Sequence, residues 1–253
     1  MASKINLNKF FVIILAAGMG RRLGKSGKYY PKTLIKINEV TILDRIIELL
    51  KKYKYRKLHF ILGFKHKKIL DILKFKKIEF TYSISKKYKE TGHGYSWFLS
   101  KRKWQQSCLP VIVMHADILF SHKYLENILN AKSKNIIGSR KINGNKKINN
   151  IYKISTDNNL KITKISKKIN INKATAEVIG INKFSQKTQL EIFNFFQSSF
   201  KNKKNMKLGW EDLLNKHIIA SNTNLLILKN QNFNWVNVNR KKDVQLAKKL
   251  NFK

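Results

Sequence analysis

The stretch Phe10–Gly24, FFVIILAAGMGRRLG, decides how the rest of the chain is read. Its apolar, β-branched part, Phe11–Ala16, has the length and composition of a strand buried on both faces. The glycines that follow admit three continuations. A secretory leader ending at small residues fails: the chain runs on through Arg21-Arg22 into PKTLIKI, in strand–loop–helix rhythm, and the apolar run is short for a leader. A dinucleotide turn needs Gly-x-Gly-x-x-Gly; Gly18 and Gly20 fit, and Glu39 lies near the distance of a ribose-binding acid, but Leu23 stands where the third glycine belongs. The third continuation is a loop whose backbone wraps a triphosphate, its N–H groups turned toward phosphate oxygens.

Composition narrows the setting. The 253 residues, 43% hydrophobic, suffice for a sizeable core. No apolar run approaches the ~20 residues of a membrane-spanning helix. A single cysteine, Cys108, allows no internal disulfide, and the expected location is cytoplasmic. The net charge of +39 suggests nucleic acid, but only seven of the 53 basic residues are Arg, and the lysines are spread along the chain among Asn and Ile. Dedicated readers of bases and phosphates favour the planar Arg fork. The excess is read as genome composition marking the surface, with no specific nucleic-acid partner.

Outward from the loop, strand and helix patterns alternate. Thr41–Tyr53 has helical spacing, Lys57–Leu62 is a strand, His66–Leu73 a helix, Glu79–Ile84 a strand, Gly94–Lys103 a helix and Pro110–Met114 a buried strand. This alternation predicts an α/β fold with parallel strands. Farther on, Asn135–Arg140, Ile148–Ser155, Lys161–Ile165, Ala176–Asn182, Asn224–Leu228 and Trp235–Val238 read as strands. Gln186–Phe200, Trp210–Ser221 and Lys242–Leu250 read as helices, and the polar Lys141–Asn150 as a hairpin tip.

LAAGMGRRLG followed by Pro31-Lys32-Thr33-Leu34 resembles the signature of nucleotidyltransferases that activate sugar phosphates and related alcohol phosphates. The resemblance implies a Rossmann-like mixed, mostly parallel sheet flanked by helices, of the nucleotide-diphospho-sugar transferase type, with a small β-rich acceptor-binding insertion. It implies one domain, with a nucleotide-binding half over about 8–130 and an acceptor-binding half over about 131–253. Leu15, Ala16, Ala17, Gly18 and Gly20 would cradle the nucleotide. Arg22 would grip the β- and γ-phosphates in a fork, and Lys32 would place charge near the α-phosphate. ETGHGYSW resembles the base-reading segment, with Thr91 and Gly92 at the base edge; His93 is given no chemistry. PVIVMHADILF resembles the strand ending in Gly-Asp, with Ala116 in the glycine's place and Asp117 as Mg²⁺ ligand. WVNVNRKKDVQLAKKL resembles the closing segment, with Asn239 where an Asp ligand is usual.

The acceptor is read from AEVIGINKFS and GWEDLLNKHI, which resemble the branch using CTP with phosphocholine or 2-aminoethylphosphonate. Aromatic faces beside carboxylates suit an ammonium group, so Tyr152, Glu177, Trp210 and Glu211 are the candidate acceptor residues. The expected partners are a nucleoside triphosphate, CTP in this branch, and a small phosphorylated acceptor, with no membrane and with a homodimer left open. Two alternatives stay open: a sugar-1-phosphate nucleotidyltransferase, and a nucleic-acid-binding protein on a degenerate enzyme fold.

Overall fold

The computed structural model describes residues 6–24, 27, 29–142, 151–221, 223–228, 233–250 and 252. Its centre is an eight-stranded sheet. β1 (Phe11–Ala16) lies in the middle with all six residues buried. β4 (Lys57–Leu62) pairs with it in parallel on one side and β6 (Val111–His115) on the other, while β5 (Thr81–Ile84) extends the β4 edge. Helices α1 (Ile42–Lys52) and α2 (His66–Phe75) lie between the strands in sequence. Thr41 starts α1 with a capping box to Asp44, and its buried residues recur at helical spacing, Ile42, Leu43, Ile46, Ile47, Leu49 and Leu50.

The sheet changes direction beside β6. β11 (Ala176–Phe184) runs antiparallel to it and carries β8 (Ile136–Lys141) and β9 (Lys153–Thr156) as partners, with β10 (Ile162–Ser166) at the edge. The expected β-rich insertion therefore continues the central sheet. A small ribbon pairs β7 (Ile118–Phe120) with β12 (Trp235–Asn237), antiparallel. β2 (Lys36–Ile37) and β3 (Val40–Thr41) form a short hairpin. The remaining helices are α3 (His93–Phe98), α4 (Lys101–Gln105), α5 (His122–Asn130), α6 (Gln186–Ser199), α7 (Trp210–Ser221) and α8 (Lys241–Lys249). No described helix is long and apolar enough to cross a membrane.

Some expectations needed correction. The helix read over Gly94–Lys103 is broken into α3 and α4. The strand read over Asn224–Leu228 is reduced to two isolated bridges, in which Leu226 is wedged between Ile136 and Lys161. β7 and α5 were not anticipated. Residues 143–150, most of the expected hairpin tip, lie outside the described residues.

Candidate active site

The strand order fixes where a ligand can sit. From β1 the chain moves to β4 and β5 on one side, then returns to β6 on the other. The crevice beyond the C-terminal ends of β1 and β6 is the switch point at which open α/β sheets bind ligands. The Gly18–Leu23 loop leaves β1 there, and Ala116-Asp117 leaves β6 there. The register joins them, with Leu15 opposite His115 and the Ala116 amide donating to the Leu15 carbonyl at 3.1 Å.

Gly20 shows why glycine is needed in this loop. Its φ is +65°, and a Cβ there would stand 2.6 Å from Lys32 Cγ. Its absence lets the Lys32 stem pass the loop and reach into the crevice. Beside Gly18 there is open space. Gly20 leads into the 3₁₀ turn Arg21–Leu23, which carries Arg22, and Pro31 leads into the turn Lys32–Leu34.

Four predicted residues, distant in sequence, converge there. Lys32 Nζ donates to Asp117 Oδ2 at 2.5 Å and to Asn239 Oδ1 at 2.7 Å, and an Arg22 guanidinium nitrogen donates to Asn239 Oδ1 at 2.9 Å. The β7–β12 ribbon makes this possible, because its register sets Asn237 against Ile118 and the Val238 amide donates to the Asp117 carbonyl at 2.8 Å. The Asn239 side chain is oriented on both sides: its Nδ2 donates to Asn237 Oδ1 at 2.7 Å, which turns Oδ1 toward the two cations. Capping of α8 falls to Arg240 and Asp243, so Asn239 is not spent as a cap.

Asp117 is a partly buried carboxylate kept ionised by its neighbours. Burial alone would raise it, but the Lys32 ammonium and the His115 and His93 rings outweigh burial and hold it below the ordinary carboxylate range. Its Oδ1 is buried without a hydrogen-bond partner. A free carboxylate oxygen beside an amide oxygen, with an ammonium already drawn between the two residues, is a hard donor set that suits Mg²⁺.

His115 and His93 were not predicted as site residues. Trp210 Nε1 donates to His115 Nε2 at 2.7 Å, and His115 Nδ1 lies 3.8 Å from Asp117 Oδ1. Burial, with the charge of His93, pulls the His115 pKa down to about 4 against the opposing pull of Asp117, so the ring is neutral at pH 7. His93 sits 3.5 Å from Glu211 Oε2, and one ligand atom from each of His93, His115 and Glu211 falls within 4.8 Å of the others. Glu211 is 6% exposed, its Oε2 has no hydrogen-bond partner, and burial raises its pKa although His93 opposes this. The signal in the sequence was a histidine at the end of a buried strand, two residues before the predicted metal ligand.

The expected acceptor residues divide. Tyr152 is half-buried; its hydroxyl donates to Asp212 Oδ2 at 2.6 Å and its ring carries the Lys167 ammonium 4.6 Å from the centroid. Trp210 does not offer a ring face to a ligand: it is 0% exposed and packs edge-on against Trp97 and His115. Glu177 does not offer a free charge: it is 2% exposed and ion-paired with Arg140, which faces it across β8 and β11 and covers the Trp235 ring. The base-reading segment is also partly committed. The Gly92 amide donates to the Met206 carbonyl at 2.8 Å and the Thr91 hydroxyl to the Lys87 carbonyl at 2.9 Å, so these donors are not directed at a base. A Cβ on Gly92 would stand 2.1 Å from the Leu208 carbonyl oxygen, so glycine is required there for packing. A separate cavity of about 520 Å³ lies between α1, β7, Leu250 and Phe252; none of the predicted site residues lines it.

Comparison with known proteins bears on the family and the fold. A model of the MobA-like NTP transferase domain matches residues 12–144. CTP:phosphoglutamine cytidylyltransferase of Campylobacter jejuni is 27% identical over 199 residues, covering 73% of this chain and 77% of the relative. Among solved structures, CTP:phosphocholine cytidylyltransferase from Streptococcus pneumoniae has a TM-score of 0.75 at 18% identity, covering 95% of this chain and 98% of its own. The inositol-1-phosphate CTP transferase from T. maritima has a TM-score of 0.78 at 18% identity, covering 96% of each chain. These structures share the mixed, mostly parallel sheet flanked by helices.

Proposed function

The chain belongs to the MobA-like NTP transferase domain family, and from that premise we propose that it transfers a cytidylyl group from CTP to a small phosphorylated acceptor carrying a cationic nitrogen, of the phosphocholine or 2-aminoethylphosphonate class. The observation that carries the proposal is the convergence of Arg22, Lys32, Asp117 and Asn239 beyond β1 and β6. An oxygen of the acceptor's phosphate or phosphonate attacks the α-phosphorus and forms a new P–O–P bridge. The bond from the α-phosphorus to the oxygen bridging the β-phosphate breaks, and pyrophosphate leaves with that electron pair. The nucleophile is already an anion, so no general base is needed, and catalysis is positioning plus charge neutralisation. Arg22 and Lys32 bind and orient the triphosphate and stabilise charge on the departing pyrophosphate. Asp117 and Asn239 would hold Mg²⁺, which when bound supplies Lewis-acid neutralisation of phosphate oxygens.

The acceptor class is supported by the corner made by Tyr152, Asp212 and Glu211. The chain's own Lys167 ammonium already lies over the Tyr152 ring, as a cation drawn to an aromatic face beside carboxylates does. Glu211 adds a buried carboxylate with an unpartnered oxygen close to His115. The test is pyrophosphate release with each of the four NTPs, with and without Mg²⁺, over phosphocholine, 2-aminoethylphosphonate, glucose-1-phosphate and inositol-1-phosphate. The expected result is Mg²⁺-dependent release with CTP and an ammonium-bearing acceptor. Preference for a hexose-1-phosphate would overturn the acceptor assignment.

A further inference from the structure

Three side chains in a row, Trp210, His115 and Asp117, run from the core into the site. An indole N–H can only donate, so the 2.7 Å contact makes His115 Nε2 an acceptor and leaves the ring proton on Nδ1. Nδ1 is the nitrogen facing Asp117 Oδ1, 3.8 Å away. The other carboxylate oxygen, Oδ2, is held by Lys32 at 2.5 Å. Oδ1 is buried and has no hydrogen-bond partner.

The imidazole has little room to turn. Gly180 lies against it at φ +85°, and a Cβ there would stand 3.1 Å from His115 Cγ and 3.4 Å from Nδ1. The His93 ring meets it edge-on at 5.2 Å, and Trp210 is itself anchored against Trp97. The same hydrogen bond argues against reading His93, His115 and Glu211 as a transition-metal site. His115 Nε2 is taken by the indole proton and Nδ1 carries its own, so the ring has no free lone pair.

We propose that Trp210 and His115 are positioning residues for the metal ligand: the indole N–H selects the His115 tautomer whose Nδ1–H faces Asp117 Oδ1, fixing the carboxylate's orientation toward a divalent cation. The proposal rests on Asp117 being that ligand. At 3.8 Å the contact with Asp117 is electrostatic and not a hydrogen bond, so its effect belongs at the low end of the 10–100-fold by which hydrogen-bonded partners of a ligand change metal affinity.

The test uses Mn²⁺ as probe, titrated into the full-length protein without substrates and followed by electron paramagnetic resonance. ¹⁵N NMR of the histidines reads the tautomer directly. The wild-type protein is expected to show His115 protonated at Nδ1 and bare at Nε2. Trp210→Phe, which keeps a ring but removes the N–H, should weaken Mn²⁺ about tenfold. His115→Ala should do the same, and His115→Asn, which can return an N–H near the position of Nδ1, should recover most of the loss. CTP binding measured without metal should not change in these variants. An Nε2–H tautomer in the wild-type protein, or equal Mn²⁺ affinity in His115→Ala and wild type, would overturn the proposal. If Trp210→Phe does not fold, the tautomer and the His115 pair decide the matter. Unchanged Mn²⁺ binding in Asp117→Asn would instead remove the underlying assignment of Asp117.

Discussion

Replacing Asp117 with Asn separates chemistry from folding, because the two effects differ widely in size. The substitution keeps the shape of the side chain and removes its charge. Lys32 would lose its only anionic partner among the described residues, though it keeps the Asn239 oxygen at 2.7 Å. The Lys32 and Asp117 side chains are 14% and 20% exposed, so the pair is neither a surface bridge nor a dry one. Surface pairs contribute about 0–1 kcal/mol, and breaking a buried pair costs about 3–5 kcal/mol. An intermediate loss of about 2 kcal/mol would lower the Tm by roughly 4–8 °C in a chain of this size. The effect on turnover should be far larger. Asp117 is the one carboxylate in the four-residue cluster, and loss of metal stabilisation worth several kcal/mol lowers the rate by about 10³-fold or more, each 1.36 kcal/mol being tenfold. Pyrophosphate release at saturating CTP and acceptor, with Mg²⁺ titrated, reads the first effect; a thermal melt of the same sample reads the second. A folded variant turning over within a factor of ten of wild type would refute both the metal role of Asp117 and the reasoning that built the site around it.

Two further outcomes follow from the same geometry. Asn239→Asp would place a second carboxylate beside Lys32 and Arg22, and is expected to tighten Mn²⁺ binding in the absence of nucleotide while keeping turnover; complete loss of activity would mean that the amide itself is required. On stability, His59 is buried between the Thr81 and Ser83 hydroxyls, and burial, aided by the charge of Lys103, pulls its pKa from 6.5 to about 4. The fold keeps it neutral, so its contribution is complete above the unfolded value of 6.5 and is lost as pH falls through about 4. A shift of that size corresponds to about 3 kcal/mol. Urea midpoints should therefore drop more between pH 7 and pH 4 in the wild-type protein than in His59→Gln, and parallel pH profiles would contradict the assignment.

The central strand and the residues that converge beyond it were legible because their determinants are local. Six consecutive apolar residues announce β1, and a glycine loop with a nearby Pro-Lys announces the turns that bring Arg22 and Lys32 together. The expected acceptor residues depend on register and on helix facing, which single residues do not reveal. Trp210, Glu211 and Asp212 are consecutive, but on a helix they point in different directions. The helical stripe of Trp210, Leu213, Leu214, His217 and Ile218 is buried, and read at that spacing it would have marked Trp210 as core. Glu177 lies in a nine-residue strand buried at all but one position, so its charge needed a partner, and only the pairing of β8 with β11 showed that the partner is Arg140. Arg140 itself left no local signal.

The substitution at Asn239 also bears on the order in which ligands bind. With Asp117 the only acid in the cluster and Arg22 and Lys32 both cationic, the pocket carries a net charge of about +1 before any ligand arrives. An Asp at 239 would bring it near neutrality. On the proposed reading, the site would hold a divalent cation alone less tightly than one with Asp at 239, and would favour a triphosphate, as suits Mg²⁺ held by few carboxylates. The +39 surface works in the same direction, because a diffusely positive field raises the local concentration of anionic nucleotide and acceptor without binding either specifically. The lysine excess, which on composition alone suggests nucleic acid, is thus compatible with the proposed reaction, in which both substrates are anions.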